Sequence, residues 1–378
     1  MKKHFNIKLL CLLLAACFLL SACSEVPVPE EEKTPVVSIW YVQDALLSAE
    51  LVSLSEQFNR ESDSVKAELK AYPDEASLGS ALDSARPDLI LCGYERAASL
   101  YEQGRLRDVS SALPDPPAYR ESFLSDSGCV GRSFFPIGAE TQLLVLNGAA
   151  FDASPASALG REALSSLESL CAAASDFGRE DAGVFFTADS FTALFTAALG
   201  SSGNDFSGVR QVDIQSESYK NIYNLLANAA YDGGLAAWDV PALPLVESGE
   251  VICAFISSTR LTEGLAEGLE LYPMPTVGEA HFARAVGLAV TSPFSGGGEA
   301  AAQFLSWLCR PQRAVSLALS AGLTPASEGW EPKEPGKLDA VLLSLASSRL
   351  YFPSLDSGYF KSGGEFERSF RAALEMLK

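Results

Sequence analysis

Histidine is nearly missing from this chain: His4 and His281 are the only two among 378 residues. A multi-histidine metal cluster and a two-histidine mechanism are therefore excluded, and a Ser-His-Asp hydrolase would have to rest on His281. No Gly-x-Ser-x-Gly elbow supplies its serine, because Gly200-Ser201-Ser202-Gly203 has the wrong spacing. Nor is there a Gly-x-x-x-x-Gly-Lys-Ser/Thr loop to cradle a nucleotide's phosphates. Basic residues are scarce: 28 Lys and Arg against 48 Asp and Glu give a formal net charge of −20. Such a surface repels nucleic acid and anionic lipid headgroups. The eight cysteines show no zinc-site spacing and no close pairing. Cys92 and Cys253 lie in apolar strand-like runs, where a free buried thiol is the ordinary state, so no disulfide is expected. The apolar block at residues 9–20 falls short of the roughly 20 residues a spanning helix needs, and no later run reaches that length.

What is present starts at that block. Lys2, Lys3 and Lys8 precede it, and Leu20-Ser21-Ala22-Cys23 follows. A basic lead, a short apolar core and a small-residue cleavage site make an export signal. The last four residues resemble the lipobox of bacterial lipoproteins. That resemblance implies cleavage before Cys23, acylation of its thiol, and a protein tethered by lipid at the outer face of the cell membrane. An ordinary signal peptide or an uncleaved anchor is the alternative. Residues 24–35, SEVPVPEEEKTP, are rich in proline and glutamate and have no periodic apolar positions, so they read as an extended tether. The chain beyond is long for one core and fits about two domains.

The folded part opens with Val36-Val37-Ser38-Ile39-Trp40-Tyr41, a strand by its β-branched and aromatic content. Leu47, Leu51, Leu54 and Phe58 then recur at helical spacing. A strand at 65–69, a helix at 78–85, a strand at 88–93 and a helix at 97–103 complete a βαβαβα pattern, which implies parallel strands with crossover helices. Further on, 134–137 and 142–147 read as a strand pair joined by a polar bend at 138–141. Helices are expected at 159–175, 191–199, 219–231, 243–248, 299–309 and 312–321. Strands are expected at 183–187, 251–256 and 285–290, with His281 on the loop before the last.

Four stretches carry a resemblance to the extracellular solute-binding proteins of ABC importers, in the group of maltose- and other sugar-binding proteins. Arg86-Pro87-Asp88-Leu89-Ile90-Leu91, followed by Tyr101-Glu102-Gln103-Gly104-Arg105-Leu106-Arg107-Asp108-Val109, is similar to that family's strand, helix and EAGLLxDL stretch. Phe135-Pro136-Ile137-Gly138-Ala139-Glu140-Thr141 with Leu146-Asn147 resembles its crossover into the second lobe. Val246-Glu247-Ser248-Gly249-Glu250-Val251 and the strand after it resemble its FxxGKxAM segment, with Glu250 where the family commonly has lysine. Gly287-Leu288-Ala289-Val290 through Gly322-Leu323-Thr324-Pro325-Ala326 resembles its last helical stretch. The departures are Gly148, where a basic residue usually follows the asparagine, and Arg284-Ala285-Val286, where the lead-in is usually glycine-rich. The resemblance implies an α/β fold of the two-lobe, type II binding-protein kind. Residues 36–139 and 286–322 would form one lobe, and 140–285 and 323–378 the other, with ligand held between them.

Loops after strand ends are where such folds hold ligands. Trp40 and Tyr41, with Asp44, lie at the end of the first strand. An aromatic there either stacks on a sugar ring or packs in the core, since strand side chains alternate. Tyr94 and Glu95 follow Gly93 in the same topological position, and Glu140 lies at the crossover, either toward ligand or on a solvated hinge. In the second lobe Asp189 follows one strand, and Ser258 and Arg260 follow another. Each could meet ligand oxygens, with helix capping the alternative for Asp189 and Ser258. Trp238 sits in a proline-flanked loop where burial is not forced and could stack on ligand; Trp307, in an apolar helix, is expected in the core.

The expected function is that of a monomeric, lipid-anchored, non-enzymatic receptor. It would capture a small solute, a sugar or oligosaccharide first, and deliver it to an ABC permease without metal or cofactor. A polyamine or other small solute, a lipid-anchored envelope enzyme using carboxylates, and a lobe that signals to a sensor are the alternatives.

Overall fold

Residue Ile39 and its neighbours form a strand buried on both faces. The computed structural model describes residues 34–43, 45–109, 113, 118–124, 133–180, 183–202, 215–236, 241–261, 264–291, 298–352, 365 and 368–373. The signal and lipobox with Cys23, and also Asp44, Cys129 and Trp238, lie outside the described residues. Strand β1 (Val36–Val42) runs parallel between β2 (Lys66–Tyr72) and β3 (Leu89–Gly93). The crossovers are α1 (Ala45–Glu61) and α2 (Glu75–Ser84), and α3 (Tyr94–Glu102) follows β3. On one face Leu51, Leu54 and Phe58 of α1 pack in a core with Ile39; on the other, Leu78 and Leu82 of α2 pack with Trp40 and Ile90. Asp74 starts α2 by accepting a 2.7 Å hydrogen bond from Ser77 N.

The remaining elements run β4 (Phe134–Asn147), α4 (Gly148–Ala153), two 3-10 turns, α5 (Leu167–Arg179), β5 (Val184–Ala188), α6 (Phe191–Ser201), α7 (Glu217–Tyr231), α8 (Ala242–Glu247) and β6 (Val251–Ser257). They continue with β7 (Leu269–Pro273), β8 (His281–Val290), α9 (Glu299–Leu308), α10 (Pro311–Ser320), β9 (Thr324–Pro325), α11 (Lys337–Ala346) and β10 (Leu350–Tyr351). The strand order is β2-β1-β3-β8-β4-β6-β5; β7 and β9 pair with β4, and β10 pairs with β8. Strand β8 is antiparallel to both β3 and β4.

The central element is β4. It is one continuous strand of 14 residues, not the strand pair with a bend expected at 138–141. Glu140 and Thr141 do not turn the chain because both are held in register by β8, opposite Arg284 and Ala283. The first part of β4 pairs with β8 and β9, and from Gln142 onward it pairs with β6 and β7. The only irregularity in its pairing with β8 is a register shift between Pro136 and Gly138, where proline has no N–H to give the ladder. At Gly138 a Cβ would sit 2.6 Å from Thr324 O and 2.9 Å from Leu323 Cβ, so glycine is what lets β9 close on β4.

Three other expectations change. The helix expected at 159–175 is two 3-10 turns followed by α5, because Gly160 takes a φ of 66° and Ser166 begins α5 with a reciprocal Ser169 capping box. Helix α3 starts at Tyr94, directly after Gly93, and not at residue 97. His281 is the first residue of β8, since its N–H bonds to Arg349 O at 2.9 Å and it pairs with Leu350. Trp307 is in the core as expected, its indole donating to Glu61 at 2.7 Å beneath the Arg313 guanidinium. The described cysteines Cys92, Cys171, Cys253 and Cys309 are free and buried. Burial pushes the Cys171 thiol up to about 12. Among the described residues no helix is long and apolar enough to cross a membrane.

Candidate functional site

Strand ends from both halves of the sheet converge where β4 changes partners. Gly93, the last residue of β3, pairs with Val286 of β8, and two residues earlier on β8 Arg284 faces Glu140 of β4. Two residues later on β4, Gln142 pairs with Ser257, the last residue of β6. Since Val286 pairs in turn with Gly138 of β4, the carboxyl ends of β3 and β6 point toward each other and stop four residues apart along β4, at Gly138 and Gln142.

A continuous row of polar side chains spans the stretch between those two ends. Glu95, in the first turn of α3, accepts from Arg284 Nε at 3.1 Å. Glu95 is also well placed against the partial positive charge of the helix start. On the other side Arg284 NH1 lies 3.6 Å from Glu140 Oε2, an ion pair longer than a hydrogen bond. Glu140 Oε1 accepts from Ser257 Oγ at 2.6 Å, and Ser257 Oγ lies 2.8 Å from Thr259 Oγ1. Arg284 is 47% exposed in its side chain. Burial pulls its guanidinium down, but the charges of Glu95 and Glu140 and the Glu95 hydrogen bond carry it above the ordinary arginine value. Tyr94, half-buried beside Glu95, rests its ring 5.5 Å from that of Phe134.

A second pair stands at the adjacent ends of β5 and β6, which are parallel. Asp189 Oδ2 accepts from Arg260 NH1 at 3.2 Å, and Asp189 Oδ1 from Ala242 N at 2.8 Å. Its side chain is 9% exposed, whereas that of Arg260 is 64% exposed. Asp189 thus anchors a guanidinium that reaches into solvent. It is free to do so because Ser190 caps α6, accepting from Ala193 N at 3.2 Å.

The candidates named from sequence divide accordingly. Tyr94, Glu95 and Glu140 lie together, and Asp189 pairs with Arg260. Trp40 (9% exposed) packs against Tyr72, ring centroids 5.2 Å apart, with Lys70 Nζ 4.8 Å from its own centroid. Tyr41 is in the core that holds α1, on the opposite face of β1. Ser258 is fully buried, and its hydroxyl accepts from Thr141 N at 3.2 Å, tying the end of β6 to β4. Asp44 and Trp238 lie outside the described residues. Arg284, which joins Glu95 and Glu140 in the row, is not among the sequence candidates and enters the sequence reading only as a departure. Its signal is a lone guanidinium inside the apolar strand run Phe282-Ala283-Arg284-Ala285-Val286. The other departure, Gly148, has a structural cause: a Cβ there would lie 2.4 Å from Glu270 Oε1, displacing the carboxylate that binds Arg161 at 2.8 Å.

A separate cavity of ≈ 590 Å³ lies between α10, the start of α11 and Trp330, lined by leucines 261, 265, 319 and 338. It shares no residue with the polar row. Among the described residues no group of three or more His, Cys, Asp or Glu could hold a metal ion.

This architecture matches solved structures over nearly its full length. One is the cyclic α-maltosyl-1,6-maltose binding protein from Arthrobacter globiformis, with a TM-score of 0.73 and 18% identity over 91% of this chain and 95% of that one. Another is the sugar-binding protein MalE from Xanthomonas citri, with a TM-score of 0.71 and 14% identity over 90% and 95%. A third is UgpB from Mycobacterium tuberculosis in complex with glycerophosphocholine, with a TM-score of 0.66 and 17% identity over 91% and 98%. The chain has the two-lobe fold of these binding proteins. No family model and no curated protein sequence matches it. These neighbours are binding proteins for ligands that range from a cyclic oligosaccharide to glycerophosphocholine, so this two-lobe fold accommodates ligands of different chemistry.

Proposed function

We propose that the protein is a non-enzymatic, lipid-anchored receptor that holds a sugar or oligosaccharide between its two lobes and delivers it to an ABC permease. The observation that carries this is the row Glu95–Arg284–Glu140–Ser257, which runs between the facing ends of β3 and β6. Oriented carboxylates accept from ligand hydroxyls, and arginine and serine donate to ligand oxygens. Arg260, held by Asp189, adds a second donor from the other strand pair. The lobes are 36–139 with 286–322, and 140–285 with 323–378. Ligand is trapped by hinge closure, driven by its higher affinity for the closed form. Several neighbours in fold are sugar-binding proteins, which supports the same ligand class here. Cys23 carries the lipid that anchors the protein. The test is a thermal-shift screen of the full chain against neutral mono- and oligosaccharides. A ligand at 100 times its Kd adds about 2.7 kcal/mol of stability. A shift with one saccharide class supports the receptor; turnover of an envelope glycan without any shift would replace it with an enzyme.

A further inference from the structure

We propose that Arg284 sets the charge class of the ligand, its guanidinium taking the place between Glu95 and Glu140 that a cationic solute would otherwise occupy. This rests on the receptor reading above.

Glu95 and Glu140 come from different elements, the first turn of α3 and the middle of β4, and aim at one point. Their oxygens lie 3.1 Å and 3.6 Å from two nitrogens of the same guanidinium. Two carboxylates converging in this way form a site for a diamine or a guanidinium ligand. Here the cation belongs to the protein. It is permanently charged, and the strand that carries it holds it in place, with Ala283 and Ala285 buried on either side of it.

The consequence is electrostatic. With Arg284 the row carries one net negative charge instead of two, and Asp189 with Arg260 carries none. A cation entering the cleft finds its carboxylates already engaged, and an anion meets Glu95 and Glu140. A neutral polyol finds a fixed array of acceptors and donors that matches its hydroxyls. Arg284 would therefore be the residue that turns a cation site into a site for uncharged sugars.

The test compares the full-length wild type with Arg284→Met, Arg284→Lys and the double variant Glu95→Gln/Glu140→Gln. Each is titrated with maltotriose, putrescine and digalacturonate by calorimetry, with a thermal melt to confirm folding. Arg284→Met should bind putrescine at least tenfold more tightly than the wild type, whereas Arg284→Lys should not. The double variant should gain at least tenfold for digalacturonate, which tests the idea even if Arg284→Met does not fold. Putrescine binding by the wild type as tight as by Arg284→Met would overturn the proposal. So would folded variants whose charge preference is unchanged. If the wild type ignores every neutral saccharide but Arg284→Met gains putrescine, the sugar-receptor reading fails and the assignment of Arg284 stands.

Discussion

Ser257 at the end of β6 donates its hydroxyl hydrogen to Glu140 of β4 over 2.6 Å, and that bond fixes the end of β6 to the β4 member of the polar row. The carboxylate it orients is the one that Arg284 approaches from the opposite side. Removing the hydroxyl leaves the backbone intact and frees Glu140 to turn. Because hydrogen bonds to charged groups contribute about 1.5–3 kcal/mol, Ser257→Ala should weaken saccharide binding by about tenfold or more. Calorimetric titration reads this directly; unchanged affinity would remove Glu140 from the site.

Gly138 pairs with Pro325 where β9 lies against β4. Gly138→Ala forces a Cβ to within 2.6 Å of the Thr324 carbonyl, a backbone atom that cannot rotate away. A loss of about 1–3 kcal/mol is expected, read by urea unfolding. If the stability is unchanged, β9 can retreat freely and does not constrain the crossing.

The core of the second half is dense in phenylalanine. Phe255 on β6 is fully buried, and its ring centroid lies 5.7 Å from that of Phe186 in an edge-to-face contact. Phe255→Ala should cost about 3–5 kcal/mol, a large share of the roughly 5–15 kcal/mol by which a domain of ordinary stability is folded. The midpoint of chemical denaturation measures it.

Acid should weaken the fold partly through His281. Burial lowers its imidazole below 6.5, outweighing the hydrogen bond with the Met274 backbone that raises it. The native state therefore binds a proton less readily than the unfolded chain. Its stabilising contribution is present above pH 6.5 and is lost as the pH falls from there toward the lower folded value. His281→Gln should flatten the stability profile below that point, measured by denaturation at a series of pH values. An unchanged slope would assign the acid sensitivity to carboxylates.

Much of the fold is legible in the sequence because its periodicities are local. The β1–α1–β2–α2–β3 unit follows from β-branched runs alternating with helical spacing, and each predicted element is found within a few residues. Strand β4 is misread because Glu140 and Thr141 look like a bend until β8 supplies Arg284 and Ala283 as cross-strand partners. Strand β7 escapes notice because Leu269-Glu270-Leu271-Tyr272-Pro273 carries a glutamate and a proline that mimic a loop. Glu270 is there to bind Arg161, 109 residues away. The candidate row follows the same division. Glu95 and Glu140 are singled out in the sequence by their places after a strand and at a crossover. Arg284 becomes visible only when 189 residues of chain fold back to set it beside Glu95. Trp40 and Tyr41 have the right chemistry for a sugar, but α2 and α1 cover them from opposite faces of β1.

The most direct test of the central claim is amide hydrogen exchange on the full chain, with and without the saccharide that gives the largest thermal shift. Binding at the seam between the lobes predicts slowed exchange at residues 93–96, 139–142, 257–260 and 283–286 together, because the strand ends of both lobes close on one ligand. Protection confined to 316–320 and 336–339 would place the ligand in the cavity beside Trp330 and contradict the account.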